Sequence, residues 1–139
     1  MEESSLPAEV QVFLRERMES YEQLEVLLLL RTRPSDPWAA SAVASELHMP
    51  EPAADQALRA LSRHGLLSVA VSPKALVFRY QPESAELAAL VEKLAGAYTE
   101  QRIAVVRLMT ANSIERLRAR ALRTFANAFL LGKKGGNDG

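Results

Sequence analysis

Three side chains with hydrogen-bonding chemistry recur on one face of a predicted helix in the stretch ADQALRALSRHGLL. They are Gln56, Arg59 and Arg63, at positions i, i+3 and i+7, and apolar residues fall on the opposite side of the same helix. Amide and guanidinium groups pair well with the edges of nucleic-acid bases. A polar row of this kind is also typical of a helix face that simply meets solvent, so both interpretations are open at this stage.

The chain has no residue pattern that is typical of catalysis or of metal binding. It contains no cysteine, which excludes disulfides, thiol catalysis and Cys-ligated metals. His48 and His64 are the only imidazoles, and neither shares a helix face with a carboxylate at metal-ligand spacing. The sequence also lacks a Gly-rich phosphate loop and a nucleophile elbow. We therefore expect no enzyme activity, no metal and no cofactor.

Charge is unevenly distributed along a chain whose formal net charge is zero. Acidic residues crowd the front: Glu2, Glu3, Glu9, Glu16, Glu19, Glu22 and Glu25. Basic residues crowd the back: Arg116, Arg118, Arg120, Arg123, Lys133 and Lys134. This asymmetry predicts either that the two ends pair, within or between subunits, or that the basic end binds an acidic partner.

No segment of the sequence is suited to crossing a membrane or to directing export. The longest aliphatic run, VLLLL at residues 26–30, is far shorter than the roughly 20 residues that a membrane span needs. The start, MEESSLPAEV, is acidic and lacks the apolar core of a signal peptide. Together with the lack of cysteine, this predicts a soluble protein of the cytoplasm.

Helical periodicity and turn residues predict four helices before a β-hairpin. The first, amphipathic, covers residues 7–19, and the second opens at Ser20 with Gln23 in a capping box. The third is expected to have Ser35 or Asp36 as its N-cap and Pro37 as its first helical residue, and to end near residue 49. The fourth, at residues 51–64, stops at a glycine. LLSVAVS and ALVFRYQ, separated by a turn at residues 73–74, then predict two strands.

Behind the hairpin, a long helix is expected to start at Ser84 and to be interrupted near Gln101 and Arg102, and a last helix to start at Ser113. After residue 131 the tail GKKGGNDG is expected to be flexible. The long helix has an apolar seam at alternating spacings of three and four, which one small core should not be able to cover. The seam is therefore predicted to be a dimer interface, formed by Leu87, Val91, Leu94, Tyr98, Val105 and Leu108.

The order of elements in residues 20–82 resembles the winged helix-turn-helix, in which ADQALRALSRHGLL stands where that family has its recognition helix. With one helix in front and two behind, the chain is similar to bacterial regulators of the MarR and PadR type. SYEQLEVLLLLR and TFANAFLLGKK further resemble a group of bacterial winged-helix proteins without an assigned role. The expected fold is mainly α with a small β-hairpin wing. Its parts are an N-terminal tail and helix (1–19), the winged domain (20–82), two dimerisation helices (83–131) and a tail (132–139).

The resemblance implies a transcriptional regulator that binds double-stranded DNA as a homodimer. In this family the exposed side of the recognition helix enters the major groove, which would place Gln56, Arg59 and Arg63 on base edges. The wing would add Lys74 at its tip and Arg79 on its exposed side as phosphate contacts.

Charge also supports an alternative, a winged helix that binds a protein partner. The basic residues of the winged domain are balanced by acidic ones, and Glu51 and Asp55 lie at the helix end that would point into the groove. Non-specific DNA affinity requires clustered positive charge, which this domain lacks. In this alternative a neutral recognition surface and the basic last helix contact the partner protein. Contact with a partner or with phosphates is assigned in either case to Arg116, Arg120 and Arg123.

Overall fold

The computed structural model describes residues 6–138, and their side chains as far as Leu130. Its elements are α1 (Ala8–Arg17), α2 (Tyr21–Thr32), α3 (Ala40–Leu47), α4 (Glu51–Arg63), β1 (Leu67–Val71), β2 (Leu76–Tyr80), α5 (Ala85–Glu100) and α6 (Arg102–Asp138). Three helices followed by an antiparallel hairpin, with one helix before and two after, confirm the predicted winged helix-turn-helix. No helix in this part of the chain is both long enough and apolar enough to cross a membrane.

The start of α2 shows how the local sequence sets a helix boundary. The Ser20 hydroxyl accepts a hydrogen bond from the backbone N–H of Gln23 at 3.2 Å. The Gln23 side chain reaches back and accepts from the backbone N–H of Glu19 at 3.0 Å. The first bond satisfies an N–H group that the helix leaves without a partner, and the second holds the residue before the N-cap, so the predicted capping pair of Ser20 and Gln23 is confirmed.

The predicted start of the third helix is wrong. Helix α3 begins at Ala40, with Ala39 as its N-cap, rather than at Pro37. The reason lies at Trp38, whose backbone N–H and carbonyl both bond to the backbone of Phe78 at 2.8 Å. This bridge extends the edge of the hairpin and requires an extended backbone at Trp38. Pairing with a distant strand has therefore overridden the local signal of a proline at the first helical position.

Helix α4 and the hairpin follow the sequence prediction closely. Helix α4 buries Ala54, Ala57, Leu58 and Leu61, the stripe that the sequence places inward. Gly65, at φ 79°, then takes the left-handed conformation that turns the chain towards β1. The strands pair from Leu67 opposite Tyr80 to Val71 opposite Leu76. The Ser72 hydroxyl closes the turn by donating to the carbonyl of Ala75 at 2.8 Å.

Two expectations for the C-terminal helices are corrected. The break between α5 and α6 falls at Gln101, as predicted, but α6 then runs unbroken from Arg102 to Asp138, so no helix starts at Ser113. No glycine or proline precedes Ser113 within α6, so its preference for an N-cap position does not interrupt the helix. The predicted flexible tail at residues 132–139 is helical as far as Asp138, and Gly139 lies outside the described residues.

The apolar seam of the long helix is covered within one chain. Leu87, Val91, Leu94 and Val105 are buried, and Tyr98 and Leu108 are half-buried against the same core. The break at Gln101 permits this arrangement, since it lets α5 and α6 take different directions while both pack on α1. The premise that one core cannot cover the seam is therefore wrong, while dimerisation itself stays a prediction.

Candidate nucleic-acid interface

The face of α4 that carries Gln56, Arg59 and Arg63 is exposed, as the helical spacing predicts. The opposite face packs on α2 and α3 and on the first strand of the hairpin. Because that apolar face is fully buried, the helix cannot rotate without exposing its leucines. The three polar side chains are therefore held outward by the core.

Arg59 lies at the centre of this surface but does not present a free charge. Its Nε donates to the Asp55 carboxylate at 2.8 Å, one helical turn away, with both side chains more than a third exposed. Such an exposed pair is weak, on the order of 0.5 kcal/mol. It orients the guanidinium along the helix, and an incoming ligand must share Arg59 with Asp55 or displace it.

Two clefts flank the exposed face of α4. The wing cleft, of about 400 Å³, lies between α4 and the hairpin. It is lined by Arg59, Ser62, Arg63, Val69, Ala70, Val71, Leu76 and Phe78. The second, of about 350 Å³, lies between α4 and the α1–α2 junction and is lined by Glu19, Gln23, Gln56, Arg59, Ala60 and Arg63. Arg59 and Arg63 border both of these clefts, whereas Gln56 borders the second and not the wing cleft.

The two predicted wing contacts lie at different heights on the hairpin. Lys74 is exposed in the turn. Arg79 is exposed near the base, opposite Ser68 in the register, and its Nε donates to the carbonyl of Ser35 at 3.1 Å. The structure therefore leaves Lys74 free to follow a ligand, while Arg79 is tethered to the loop between α2 and α3.

Acidic groups stand at both ends of α4. Glu51 is exposed at its first turn, and the Glu19 carboxylate lies 3.6 Å from Nε2 of His64 at its last. The Arg17 guanidinium donates to the backbone carbonyl of His64, beside that pair. The acidic groups that we expect to repel a polyanion therefore lie at both ends of the helix.

The basic face of α6 begins beside this surface. The Arg116 guanidinium donates to the carbonyls of Met18 at 2.6 Å and of Glu19 at 3.3 Å, at the C-terminal end of α1. Both carbonyls follow Arg17, the last residue of α1, where the chain has left the helix. Arg116 thus meets the acidic front of the chain through backbone oxygens rather than through a carboxylate. Arg120 and Arg123 are exposed further along α6.

One polar cluster escaped the sequence analysis. The hydroxyls of Tyr21 and Tyr98 are hydrogen-bonded, and Arg102 donates to the Tyr21 hydroxyl at 3.3 Å while its guanidinium lies 4.9 Å from the centre of the Tyr98 ring. Burial, assisted by the hydrogen bond with Tyr21, raises the pKa of Tyr98 to about 12. The three residues come from α2, α5 and α6, so no local pattern could have joined them. They fix the joint at which α6 leaves the winged domain.

Comparison with known proteins places the fold but assigns no family to the chain. No protein-family model and no curated protein matches the sequence. Among solved structures, it is similar to MepR, a transcription regulator of the Staphylococcus aureus multidrug efflux pump MepA. The identity is 18%, the TM-score is 0.51, and the likeness covers 86% of this chain and 87% of that one.

Two further structures show the same likeness. A MepR–DNA complex from S. aureus is similar at 17% identity and a TM-score of 0.52, over 86% of this chain and 89% of MepR. Reduced HlyU from Vibrio cholerae is similar at 22% identity and a TM-score of 0.50, over 70% of this chain and 98% of HlyU. These likenesses establish the winged helix-turn-helix fold of the chain.

Proposed function

We propose that the protein is a dimeric transcriptional regulator that binds double-stranded DNA through α4. The observation that carries the proposal is the exposed row of Gln56, Arg59 and Arg63 on a helix whose other faces are locked into the core. A helix presented in this way fits the major groove.

The three side chains have distinct roles in this proposal. Arg63 is exposed and borders both clefts, so it can approach a guanine edge with two of its guanidinium nitrogens. Gln56 is suited to adenine, which presents one donor and one acceptor in the major groove. Arg59 must exchange its contact with Asp55 for one with a base. Two hydrogen bonds to one base would replace the contact with Asp55 better than a non-specific contact with a phosphate.

Phosphate contacts are assigned to Lys74 and Arg79. Lys74 stands free in the hairpin turn, whereas Arg79 is held against the loop between α2 and α3 by the Ser35 carbonyl. Contacts of this kind position a protein on the duplex without selecting sequence. A two-fold dimer would then require two half-sites separated by about one helical turn or a multiple of it.

The structural neighbours support this assignment by analogy. MepR is described as a transcription regulator and has been solved in complex with DNA. The likeness covers most of both chains, so it includes the helices outside the winged domain as well as the domain itself.

The wing cleft favours one second candidate, in which the same surface binds a protein partner. Val71 is 84% exposed and Val69 49% exposed on the wall of this cleft. Exposed valines gain little from phosphates, whereas an apolar side chain of a partner would cover them. In this candidate the basic residues Arg116, Arg120 and Arg123 contact the partner too.

Fluorescence anisotropy with random duplex DNA separates the two candidates. We expect affinity for random DNA to be weak and to fall gradually as salt rises from about 20 to 200 mM, because released counterions drive binding to phosphates and the surface around α4 carries only a small basic excess. R59A should weaken binding to a selected operator by about tenfold or more and relax preference at one base pair. The matched control is R15A, which removes an exposed arginine of α1 outside this surface. Absence of binding at every salt concentration would leave the protein-partner candidate in its place.

A further inference from the structure

Strand β1 is the outer strand of the hairpin, and its free edge carries backbone groups that β2 does not use. The bridge from Trp38 joins the hairpin on the other side, at β2, where both the N–H and the carbonyl of Phe78 bond to Trp38. Opposed residues of an antiparallel pair point their backbone groups either towards each other or both outwards. Val69 lies opposite Phe78, so the N–H and the carbonyl of Val69 point outwards at the free edge.

Val71 repeats this arrangement, because the hydrogen-bond pattern of an antiparallel ladder has a period of two residues. The next pair, Ser72 with Ala75, is hydrogen-bonded across the turn, which agrees with that phase. The edge therefore presents two N–H donors and two carbonyl acceptors, and none of these groups has a hydrogen-bond partner within residues 6–138. An added strand can satisfy all of them.

Nothing in β1 itself protects this edge against pairing. Exposed edge strands of natural proteins usually carry a lysine, a proline or an inward-pointing charge, which prevents another strand from adding. Strand β1 has the sequence LSVAV, without any of these, and its last three residues are exposed. An uncharged edge of this kind is suited to pairing with an extended segment of another chain.

The wing cleft lies beside this edge and determines which side chains an added strand needs. Val69 and Val71 share one face of the hairpin, and this face lines the cleft together with Leu76. Ala70 also lines the cleft although its side chain belongs to the other face, so the cleft reaches the edge of β1. The facing wall is formed by α4, which contributes Arg63 and two further residues.

That wall carries positive charge with little compensation. Arg63 forms neither an ion pair nor a hydrogen bond within the part of the chain that the structure describes, and Arg59 is held only by the exposed pair with Asp55. None of the described residues that line the cleft is acidic. A strand added to β1 points every second side chain into the cleft. These side chains should include an apolar one to cover the valines and a carboxylate to bind Arg63.

Other occupants satisfy fewer of these groups. A phosphate accepts hydrogen bonds from the N–H groups, but it leaves the outward carbonyls without donors and the valines in water. Pairing of two β1 strands from two copies would satisfy the backbone, but β1 has no carboxylate to bring to Arg63. An extended segment with both apolar and acidic side chains satisfies the backbone groups, the valines and the arginine together.

We propose that β1 binds an extended segment of a partner protein, with alternating apolar and acidic side chains, as an additional strand. The backbone of the segment would pair with Val69 and Val71, and its carboxylate would bind Arg63. The inference rests on the partner candidate of the proposed function for the use of the wing cleft, and it gives that candidate a binding mode. Because Arg59 and Arg63 are also assigned to bases, the bound segment and DNA should exclude each other.

Fluorescence anisotropy with labelled synthetic peptides provides the test. In the first peptide, threonines alternate with glutamate, valine and glutamate, an order that reads the same from either end and so suits both strand directions. We expect this peptide to bind. A peptide with lysine in place of glutamate, and one with N-methylated backbone amides, should each bind on the order of tenfold more weakly, because one opposes the charge of Arg63 and the other cannot donate to the edge carbonyls.

Two variants of the protein test the same contacts, with circular dichroism as the check on folding. R63E reverses the charge that binds the carboxylate. V71P removes one N–H of the edge, and an edge strand accepts proline at this position because that N–H points away from β2. Each variant should weaken binding of the glutamate peptide on the order of tenfold. The control R15E reverses an exposed arginine of α1 and should bind the peptide like the native chain.

Amide hydrogen exchange in the native chain provides a readout that needs no variant. The peptide should slow exchange at the N–H groups of Val69 and Val71. It should leave the N–H of Ala70 unchanged, because that group points towards Val77 within the hairpin.

The inference would be overturned by no binding of the glutamate peptide up to about 1 mM, by equal binding of the lysine peptide, or by binding of peptide and DNA at the same time. Protection of Val69 and Val71 that rises with protein concentration alone would assign the edge to a second copy and overturn it too. The DNA proposal fails separately. A chain that binds the peptide and no DNA refutes only the role of α4, whereas a chain that binds DNA and no peptide refutes only the added strand.

Discussion

Replacing glycine by alanine should have opposite effects on stability at two positions of this chain, Gly65 and Gly96. Gly65 joins α4 to the wing at φ 79°, a conformation that residues with a Cβ rarely adopt. An added Cβ would also lie 2.5 Å from Cδ of Glu83 and 2.6 Å from its Oε2. The backbone holds this approach in place, because the N–H of Glu83 donates to the Gly65 carbonyl at 2.9 Å.

The expected cost of G65A has two parts. The left-handed backbone costs alanine about 1–2 kcal/mol relative to glycine. The contact with Glu83 involves the far end of a flexible side chain, which can turn into solvent at a cost of roughly 0.5–1.5 kcal/mol. The double variant G65A/E83A should therefore recover the second part and retain the first.

Gly96 provides the matched comparison. It lies exposed within α5, and an added Cβ would have no atom within 4 Å. Alanine there removes backbone freedom from the unfolded chain, so G96A should stabilise the protein by about 0.5–1 kcal/mol.

Urea denaturation followed by circular dichroism measures all four chains on one scale. We expect the order of stability to be G96A, native, G65A/E83A and G65A. A G65A variant as stable as the native chain would refute the requirement for a left-handed residue after α4. A loss in G65A/E83A as large as in G65A would refute the contribution of the contact with Glu83.

Three further predictions concern caps, an ion pair and a tyrosine. S20A and S84A each remove a hydroxyl that accepts a hydrogen bond from a backbone N–H at a helix start. Each should therefore lower the free energy of unfolding, measured by urea denaturation, by about 1 kcal/mol. Losses near zero would contradict the capping role. Arg31 donates twice to Glu92 and lowers the pKa of that carboxyl. The pair should therefore stabilise the fold at neutral pH and lose its effect as pH falls through the lowered pKa. Because both groups are partly exposed, E92Q should lower the free energy of unfolding by less than about 1 kcal/mol at neutral pH, and this loss should shrink as pH falls through the lowered pKa of Glu92. A loss that does not change with pH would contradict the role of the pair. Burial and the hydrogen bond with Tyr21 raise the pKa of Tyr98 to about 12, so the contribution of Tyr98 to stability should be lost as pH rises from about 10 to 12. In an ultraviolet titration of the tyrosines, Y98F should remove the component that ionises at the highest pH. A titration that is unchanged in Y98F would contradict the assignment.

Sequence patterns were informative where a local cause fixes the structure. The capping box at Ser20, the stripe that α4 buries and the glycine that ends this helix all depend on residues within a few positions of each other. Each was predicted with its physical reason. The exposure of Gln56, Arg59 and Arg63 follows from the same periodicity, whereas their contact with bases stays a prediction.

The sequence was misleading where distant segments decide the outcome. Trp38 is extended because it pairs with Phe78, forty residues further along the chain, and nothing near Pro37 indicates that partner. The seam from Leu87 to Leu108 has the spacing of an intersubunit contact, but the direction of α6 after Gln101 brings the seam into the core of its own chain. Periodicity identifies an apolar face, but only the tertiary arrangement shows what covers it.

The balance of charge around α4 bears on how the protein would bind DNA. The surface around the recognition helix carries three acidic groups, Glu19, Glu51 and Asp55, and four basic ones: Arg59, Arg63, Lys74 and Arg79. So small an excess gives a shallow dependence on salt and weak non-specific affinity. Such a regulator must obtain most of its affinity from base contacts. R59A should therefore reduce the preference for the operator over random DNA strongly, whereas K74A should change that preference only weakly.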